Sequence, residues 1–161
     1  LVSFLIFLID GSPVFFVQKR VGLNNKIFKL YKFRSMKNNT PNIAANLLVN
    51  PNQYYTLTGK FIRKFNIDEL PNLINILNGD LVFVGPRPAL YNQYHLTKLR
   101  LQLGILNIKP GLTGWAQING RNEISIQQKV VLDNQYLKRK SLHFDLHIIF
   151  MTIFYLLSPK K

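Results

Sequence analysis

The chain has no cysteine, which excludes disulfides and thiolate metal sites. Acids are scarce as well. Seven Asp and Glu stand against 21 Lys and Arg, a formal charge of +14. The three histidines, His95, His143 and His147, show no metal-ligand spacing. No Walker-type or dinucleotide-binding glycine loop is present, so the two commonest nucleotide cradles are absent. No internal repeat occurs. No apolar run reaches the ~20 residues that a membrane-crossing helix needs.

What is present has a clear bias. With 161 residues and 47% hydrophobic composition, the chain can build one folded domain with a core. So large a basic excess implies an anionic partner: nucleic acid, lipid headgroups or phosphorylated substrates. The chain opens in an apolar run, Leu1 to Ile9, that Asp10 ends. That is about half the length of a spanning helix. Residues 1–10 are therefore expected to be half of a membrane element, with its other half upstream, and 11–161 to be the folded domain.

Local signals predict the elements. Val14 to Val17 and Ile27 to Phe33, separated by a turn-like stretch from Gly22 to Lys26, read as a basic, aromatic hairpin. Residues 38–58 are rich in Asn and read as a loop with a short helix at Ala44 to Leu48. Leu70, Leu73, Ile74 and Leu77 share one helical face, and Asn78-Gly79 ends that helix. With Asp68 as N-cap, Pro71 falls at its third position, where the missing N–H is harmless. Leu81 to Val84 reads as a short buried strand that runs into Gly85-Pro86-Arg87-Pro88. Helices are expected at 89–103, 125–138 and 144–157, the last as part of the core. A Gly-rich irregular stretch, 109–122, surrounds the single tryptophan, Trp115.

The adjacent acids Asp68 and Glu69 stand out among so many bases. An ionised Asp can attack phosphorus, and a neighbouring carboxylate can hold Mg²⁺, which neutralises phosphate oxygens. On spacing alone the pair is better explained as a helix cap and a first-turn acid. Arg63, Arg87 and Arg121 sit near constrained backbone, and guanidinium forks suit phosphate oxygens. Asp133 is a further acid beside an apolar stretch, where a surface helix position explains it as well as a role in chemistry. Trp115 can stack on a base or fill a core. The charge and the aromatic hairpin from Lys26 to Arg34 also suit the alternative of a basic nucleic-acid-binding module.

Five blocks in order resemble the bacterial sugar transferases, also called monotopic phosphoglycosyl transferases. They are residues 11–22, 28–36, 62–73, 78–88 and 109–122. Their signatures here are Gln18-Lys19-Arg20-Val21-Gly22, Tyr31-Lys32-Phe33-Arg34-Ser35-Met36, Asp68-Glu69-Leu70-Pro71-Asn72, Gly85-Pro86-Arg87-Pro88 and Asn119-Gly120-Arg121-Asn122.

The resemblance implies an α+β fold: a small helix-rich catalytic domain with a short β-hairpin or sheet, attached to a membrane re-entrant helix of which residues 1–10 are the returning half. It implies Asp68 as nucleophile on the sugar-bearing phosphate of a UDP-sugar, with UMP leaving, and a polyprenyl (undecaprenyl) phosphate as the acceptor. It gives Glu69 the Mg²⁺ role, sets Arg63, Arg87 and Arg121 near phosphates, and makes Asp133 an additional active-site acid. It implies the cytoplasmic face of the bacterial inner membrane and a surface-glycan pathway, with no nucleic acid as partner.

Overall fold

A computed structural model of the chain describes residues 1–41, 48–120 and 124–157. The short helix expected at Ala44 to Leu48 falls almost wholly outside them. The chain forms two units: residues 1–18 with 29–75, and residues 19–28 with 76–161. The fold is mixed, with helices predominating over two small sheets, in keeping with the expected α+β class.

β1 (Phe15–Val21) and β2 (Ile27–Phe33) pair as a two-stranded sheet. Their five-residue connection is too short for a parallel crossover, so the predicted hairpin forms. It contributes residues to both units.

In the first unit, α1 (Val2–Asp10) packs against α2 (Leu57–Lys64). Two polar devices hold α1. The buried Arg34 caps its C-terminal end: Nη2 donates to the carbonyls of Asp10 (2.6 Å) and Gly11 (2.8 Å), and Nη1 to that of Ser12 (2.9 Å). A cation there satisfies carbonyls that the helix leaves unpaired. The Asp10 carboxylate accepts hydrogen bonds from Leu57 N and the Thr58 hydroxyl, and so caps the start of α2. Thr56 adds a second cap by accepting from Gly59 N. Gly59 is required there, because a Cβ would lie 2.0 Å from the Ser35 carbonyl oxygen. α2, which the sequence reading did not anticipate, begins at the very end of the loop expected across 38–58 and lies almost wholly beyond it.

α3 (Asn72–Leu77) follows a tight 3₁₀ turn, Ile67–Glu69.

The second unit is built on a parallel pair. β3 (Val82–Val84) pairs with β4 (Gly111–Thr113), with Val82 opposite Gly111 and Val84 opposite Thr113. β4 and the short α5 (Trp115–Ile118) lie in the stretch expected to be irregular. α4 (Tyr94–Gln102) is shorter than expected, because Leu90 instead bridges to Arg20.

α6 (Ile126–Arg139) starts at a capping box in which Ser125 and Gln128 satisfy each other's backbone N–H groups. α7 (Leu142–Leu157) closes the unit.

One core joins Val21, Ala89, Leu96, Ile105, Leu106 and Val130. A second joins Val84, Tyr136, Phe144 and Ile148, with Trp115 packed against it. Trp115 is thus largely a core residue, its indole N–H donating to Gln135. α7 is only partly core. Phe144 and Ile148 are buried, whereas Leu142, Leu146, Phe150 and Phe154 are exposed. A 16-residue helix touches its neighbours along one stripe, so the remaining apolar positions face outward. Among the described residues, no helix is long and apolar enough to cross a membrane.

Candidate active site

Asp68 and Glu69 do not begin an α-helix as expected. They lie inside the 3₁₀ turn Ile67–Glu69, which Asn66 enters in the left-handed region at φ 54°. Glu69 N donates to Asn66 O and Leu70 N to Ile67 O, both at 3.1 Å. The cause is Pro71. It has no N–H to offer the Ile67 carbonyl, so a regular helical bond is impossible at that point. The turn closes three residues apart instead, and α3 begins at Asn72, directly after the proline. Asp68 is therefore held in a tight turn rather than at a cap, and it is only 7% exposed.

The face of α3 is also reversed. Leu70, Leu73, Ile74 and Leu77 are exposed, Leu77 at 87%, while Asn72 and Asn75 are buried. Asn75, with no exposed surface, explains this. Its Oδ1 accepts from Tyr31 N (3.1 Å) and its Nδ2 donates to Lys29 O (2.7 Å). The amide thus serves β2 as a neighbouring strand would. Two backbone groups that burial would otherwise leave unpaired are satisfied.

That dock brings the turn beside β2. Lys32 Nζ contacts Glu69 Oε1 at 2.6 Å. Arg63, in the last turn of α2, sets its guanidinium over the Tyr55 ring, 5.1 Å from the centroid. Arg63, Asp68 and Glu69 thus belong to one unit.

The donors near this turn suit a hard cation. Mg²⁺ takes one or two carboxylates and completes its shell with water and substrate phosphates. Asp68 and Glu69 are adjacent carboxylates. The Oδ1 of Asn72 is buried with no hydrogen-bond partner among the described residues, four positions after Asp68. Among those residues no cluster of three or more His, Cys, Asp or Glu forms an all-protein metal cage. The donor types present, the carboxylates of Asp68 and Glu69 and the unpartnered amide oxygen of Asn72, are the hard oxygens that such a cation takes.

Arg87 and Asp133 belong to the second unit. The turn that carries Arg87 follows β3 and is held through three successive carbonyls. Gly111 N donates to Pro86 O (3.0 Å), Arg100 Nη1 to Arg87 O (2.8 Å) and Arg20 Nη1 to Pro88 O (2.9 Å). The two prolines offer no N–H, so the carbonyls are the available handles. Close backbone approach makes the first contact possible. A Cβ on Gly111 would lie 2.1 Å from Gly85 N, and one on Gly114 2.1 Å from Gly85 O. The backbone at Arg87 is fixed before any ligand arrives.

Asp133 is neither a surface residue nor an isolated acid. It is 1% exposed, and its Oδ2 accepts from Arg100 Nε (3.0 Å) and Nη2 (2.6 Å). Arg100, itself 2% exposed, therefore links Asp133 to the Arg87 carbonyl. Burial pushes the Asp133 carboxyl above its ordinary pKa, while the Arg100 guanidinium and the Lys129 ammonium oppose that push. Lys129 is shifted down, by burial first and then by the charge of Arg100.

Sequence reasoning missed Arg100 and Lys129. Arg100 stands four residues after the buried Leu96 on α4, and Lys129 four residues before Asp133 on α6, so helical spacing was the available signal. Arg121 lies outside the described residues.

Comparison with known proteins places this geometry in context. A family model described as Bacterial sugar transferase matches residues 1–159. The chain is 49% identical over 144 residues to the uncharacterized sugar transferase EpsL of Bacillus subtilis, covering 89% of this chain and 69% of that protein. It is 43% identical over 160 residues to the galactosyl transferase CpsE of Streptococcus agalactiae, covering 89% and 34%. It is 37% identical over 150 residues to the UDP-glucose:undecaprenyl-phosphate glucose-1-phosphate transferase of Escherichia coli, covering 89% and 32%. The chain thus spans about two thirds of the first of these relatives and about one third of the other two.

Proposed function

The chain belongs to the bacterial sugar transferase family, and from that premise we propose that it is a phosphoglycosyl transferase moving a sugar-1-phosphate from a UDP-sugar to undecaprenyl phosphate. The names of its relatives support the reaction, one of them specifying UDP-glucose as donor and undecaprenyl phosphate as acceptor. The observation that carries the residue assignment is the buried Asp68 carboxyl in a rigid turn, directly beside Glu69.

In the proposed reaction an oxygen of the Asp68 carboxylate attacks the sugar-bearing phosphorus. The bond to the bridging oxygen breaks and UMP leaves with the electron pair. A phosphosugar stays on Asp68 as an acyl phosphate. A phosphate oxygen of the polyprenyl phosphate then attacks the same phosphorus, forms the diphosphate and frees the carboxylate. Glu69 would hold Mg²⁺, which supplies charge neutralisation at the phosphate oxygens. Lys32, by contacting Glu69 Oε1, fixes the direction in which that carboxylate points. Arg63, Arg87 and Arg121 are assigned to phosphate oxygens, which their guanidinium geometry suits. Asp133 enters through Arg100, which it orients. Lipid acceptor and basic surface together favour the cytoplasmic face of the inner membrane.

The test is release of UMP. A panel of UDP-sugars is offered with Mg²⁺ and undecaprenyl phosphate, and turnover is expected for at least one donor. Without acceptor, mass spectrometry is expected to find the phosphosugar on the peptide holding Asp68. Asp68→Asn is expected to abolish turnover, a loss of at least about 10⁴-fold for removal of a covalent nucleophile. Glu69→Gln is expected to raise the Mg²⁺ concentration needed for half activity. Unaltered turnover in Asp68→Asn would leave Asp68 as a structural turn residue only.

A further inference from the structure

The second unit contains a charged cluster in which the proposed chemistry leaves one member, Lys129, without a role. On α6, Lys129 precedes Asp133 by one helical turn, so both side chains share a face. That face packs against α4, which supplies Arg100. Arg100 spends Nε and Nη2 on Asp133 and Nη1 on the Arg87 carbonyl. Two cations, Arg100 and Lys129, therefore flank one carboxylate. The charges of Arg100 and Arg87 both act on Lys129.

The carboxylate is already committed. Arg100 donates to Asp133 through two nitrogens, and both bonds fall on Oδ2. The Lys129 ammonium is partly buried and makes no hydrogen bond or ion pair among the described residues. A half-buried ammonium beside two guanidinium groups costs free energy in the folded chain. Its ordinary relief would be a counter-anion. The Arg87 turn is fixed by its carbonyls, so one wall of such a site is rigid.

We infer that Lys129, supported by the Arg100–Asp133 pair and the Arg87 turn, forms a binding site for a phosphate group. The inference rests on the transferase reading for the source of that phosphate, which is either the diphosphate of the nucleotide donor or the monoester of the lipid acceptor. Asp133 is then a positioning residue: it holds Arg100, and Arg100 holds the turn.

The groups facing Lys129 are Arg100 from α4, Asp133 from α6 and Arg87 from the turn after β3. The sign of its effect on stability follows. A group whose folded pKa is depressed contributes stability that is present above the unfolded pKa and lost as pH falls through the folded pKa. Below the unfolded pKa and without anion, the fold therefore carries a cost at Lys129. Lys129→Met removes that cost and is expected to raise the melting temperature of the anion-free protein. Lys129→Arg keeps the charge and is expected to keep the anion response.

The experiment uses the full chain in detergent and measures binding, so it does not depend on turnover. Calorimetric titration with UDP and, separately, with undecaprenyl phosphate compares wild type, Lys129→Met and Lys129→Arg. Roughly tenfold weaker binding of one probe in Lys129→Met is expected, with Lys129→Arg within about threefold of wild type. A loss confined to UDP assigns the site to the donor, and a loss confined to undecaprenyl phosphate assigns it to the acceptor. In turnover the change is expected in KM for that substrate and not in kcat.

Unchanged affinity for both probes in Lys129→Met, or a lower melting temperature of that variant without anion, overturns the site. Failure of the transferase reading would look different: wild type would bind a probe yet release no UMP from any donor.

Discussion

At the residue scale the decisive pair is Arg100 and Asp133, because both are almost wholly buried and each is the other's charge partner. A buried pair contributes little net stability when intact, yet removing one partner strands a charge. Arg100→Leu and Asp133→Leu are each expected to cost about 3–5 kcal/mol in denaturant unfolding. The double variant is expected to cost less than either single change, since no charge is left stranded. Turnover tells a different story. The double variant still lacks the donor to the Arg87 carbonyl, so its activity is expected to stay low while stability recovers. Recovery of both together would make the pair purely structural.

The same residues show what a sequence can and cannot reveal at this scale. Asp68 and Glu69 are visible as neighbours in a chain poor in acids. The burial of Asp133 is not visible, because it depends on a guanidinium 33 residues away in the chain. Lys32 on Glu69 is hidden for the same reason, at a separation of 37.

At the scale of elements, patterns succeed where local physics dominates and fail where backbone contacts decide. α6 was legible because Ser125 and Gln128 make a capping box that needs no tertiary partner. α3 was legible as a helix, but its face was read backwards. Apolar spacing marks an apolar stripe, and Asn75 buries the other side by bonding two backbone groups of β2. α2 hides behind Gly59, a poor helix former, which the Ser35 carbonyl makes necessary. β4 is three residues long, too short for any periodicity, and its glycine exists for close approach.

That last point is testable. Gly111→Ala places a methyl 2.1 Å from Gly85 N, so the β3 and β4 ends must separate. Overpacking of this kind is expected to cost about 1–3 kcal/mol. Because Gly111 N also holds the Pro86 carbonyl, activity is expected to fall further than the loss of folded protein explains. Activity tracking folded fraction alone would show that the turn tolerates the shift.

At the scale of the whole molecule, two surface properties act through different physics. The net charge of +14 attracts anionic lipid, by roughly 1 kcal/mol for each Lys or Arg near the surface, and salt screens that attraction. Exposed apolar helix faces bind by burial, which moderate salt does not screen. Each unit carries such a face: Phe4, Phe7 and Leu8 on α1 in the first, and Leu142, Leu146, Phe150 and Phe154 on α7 in the second.

On the proposed reading, the protein is therefore expected to bind vesicles rich in anionic phospholipid more tightly than neutral ones. Raising salt from about 0.05 to 0.5 M shortens the Debye length several-fold and is expected to weaken that binding without ending it. Leu146→Asp with Phe150→Asp is expected to remove the salt-resistant part. Both side chains are exposed, so the fold should survive, and circular dichroism checks that it does. Sedimentation with vesicles reads each step. Equal binding to neutral and anionic vesicles would mean that the charge serves the phosphorylated substrates alone. Complete release by salt would mean that the apolar faces meet something other than lipid. In either event the basic excess and the apolar faces would have separate explanations.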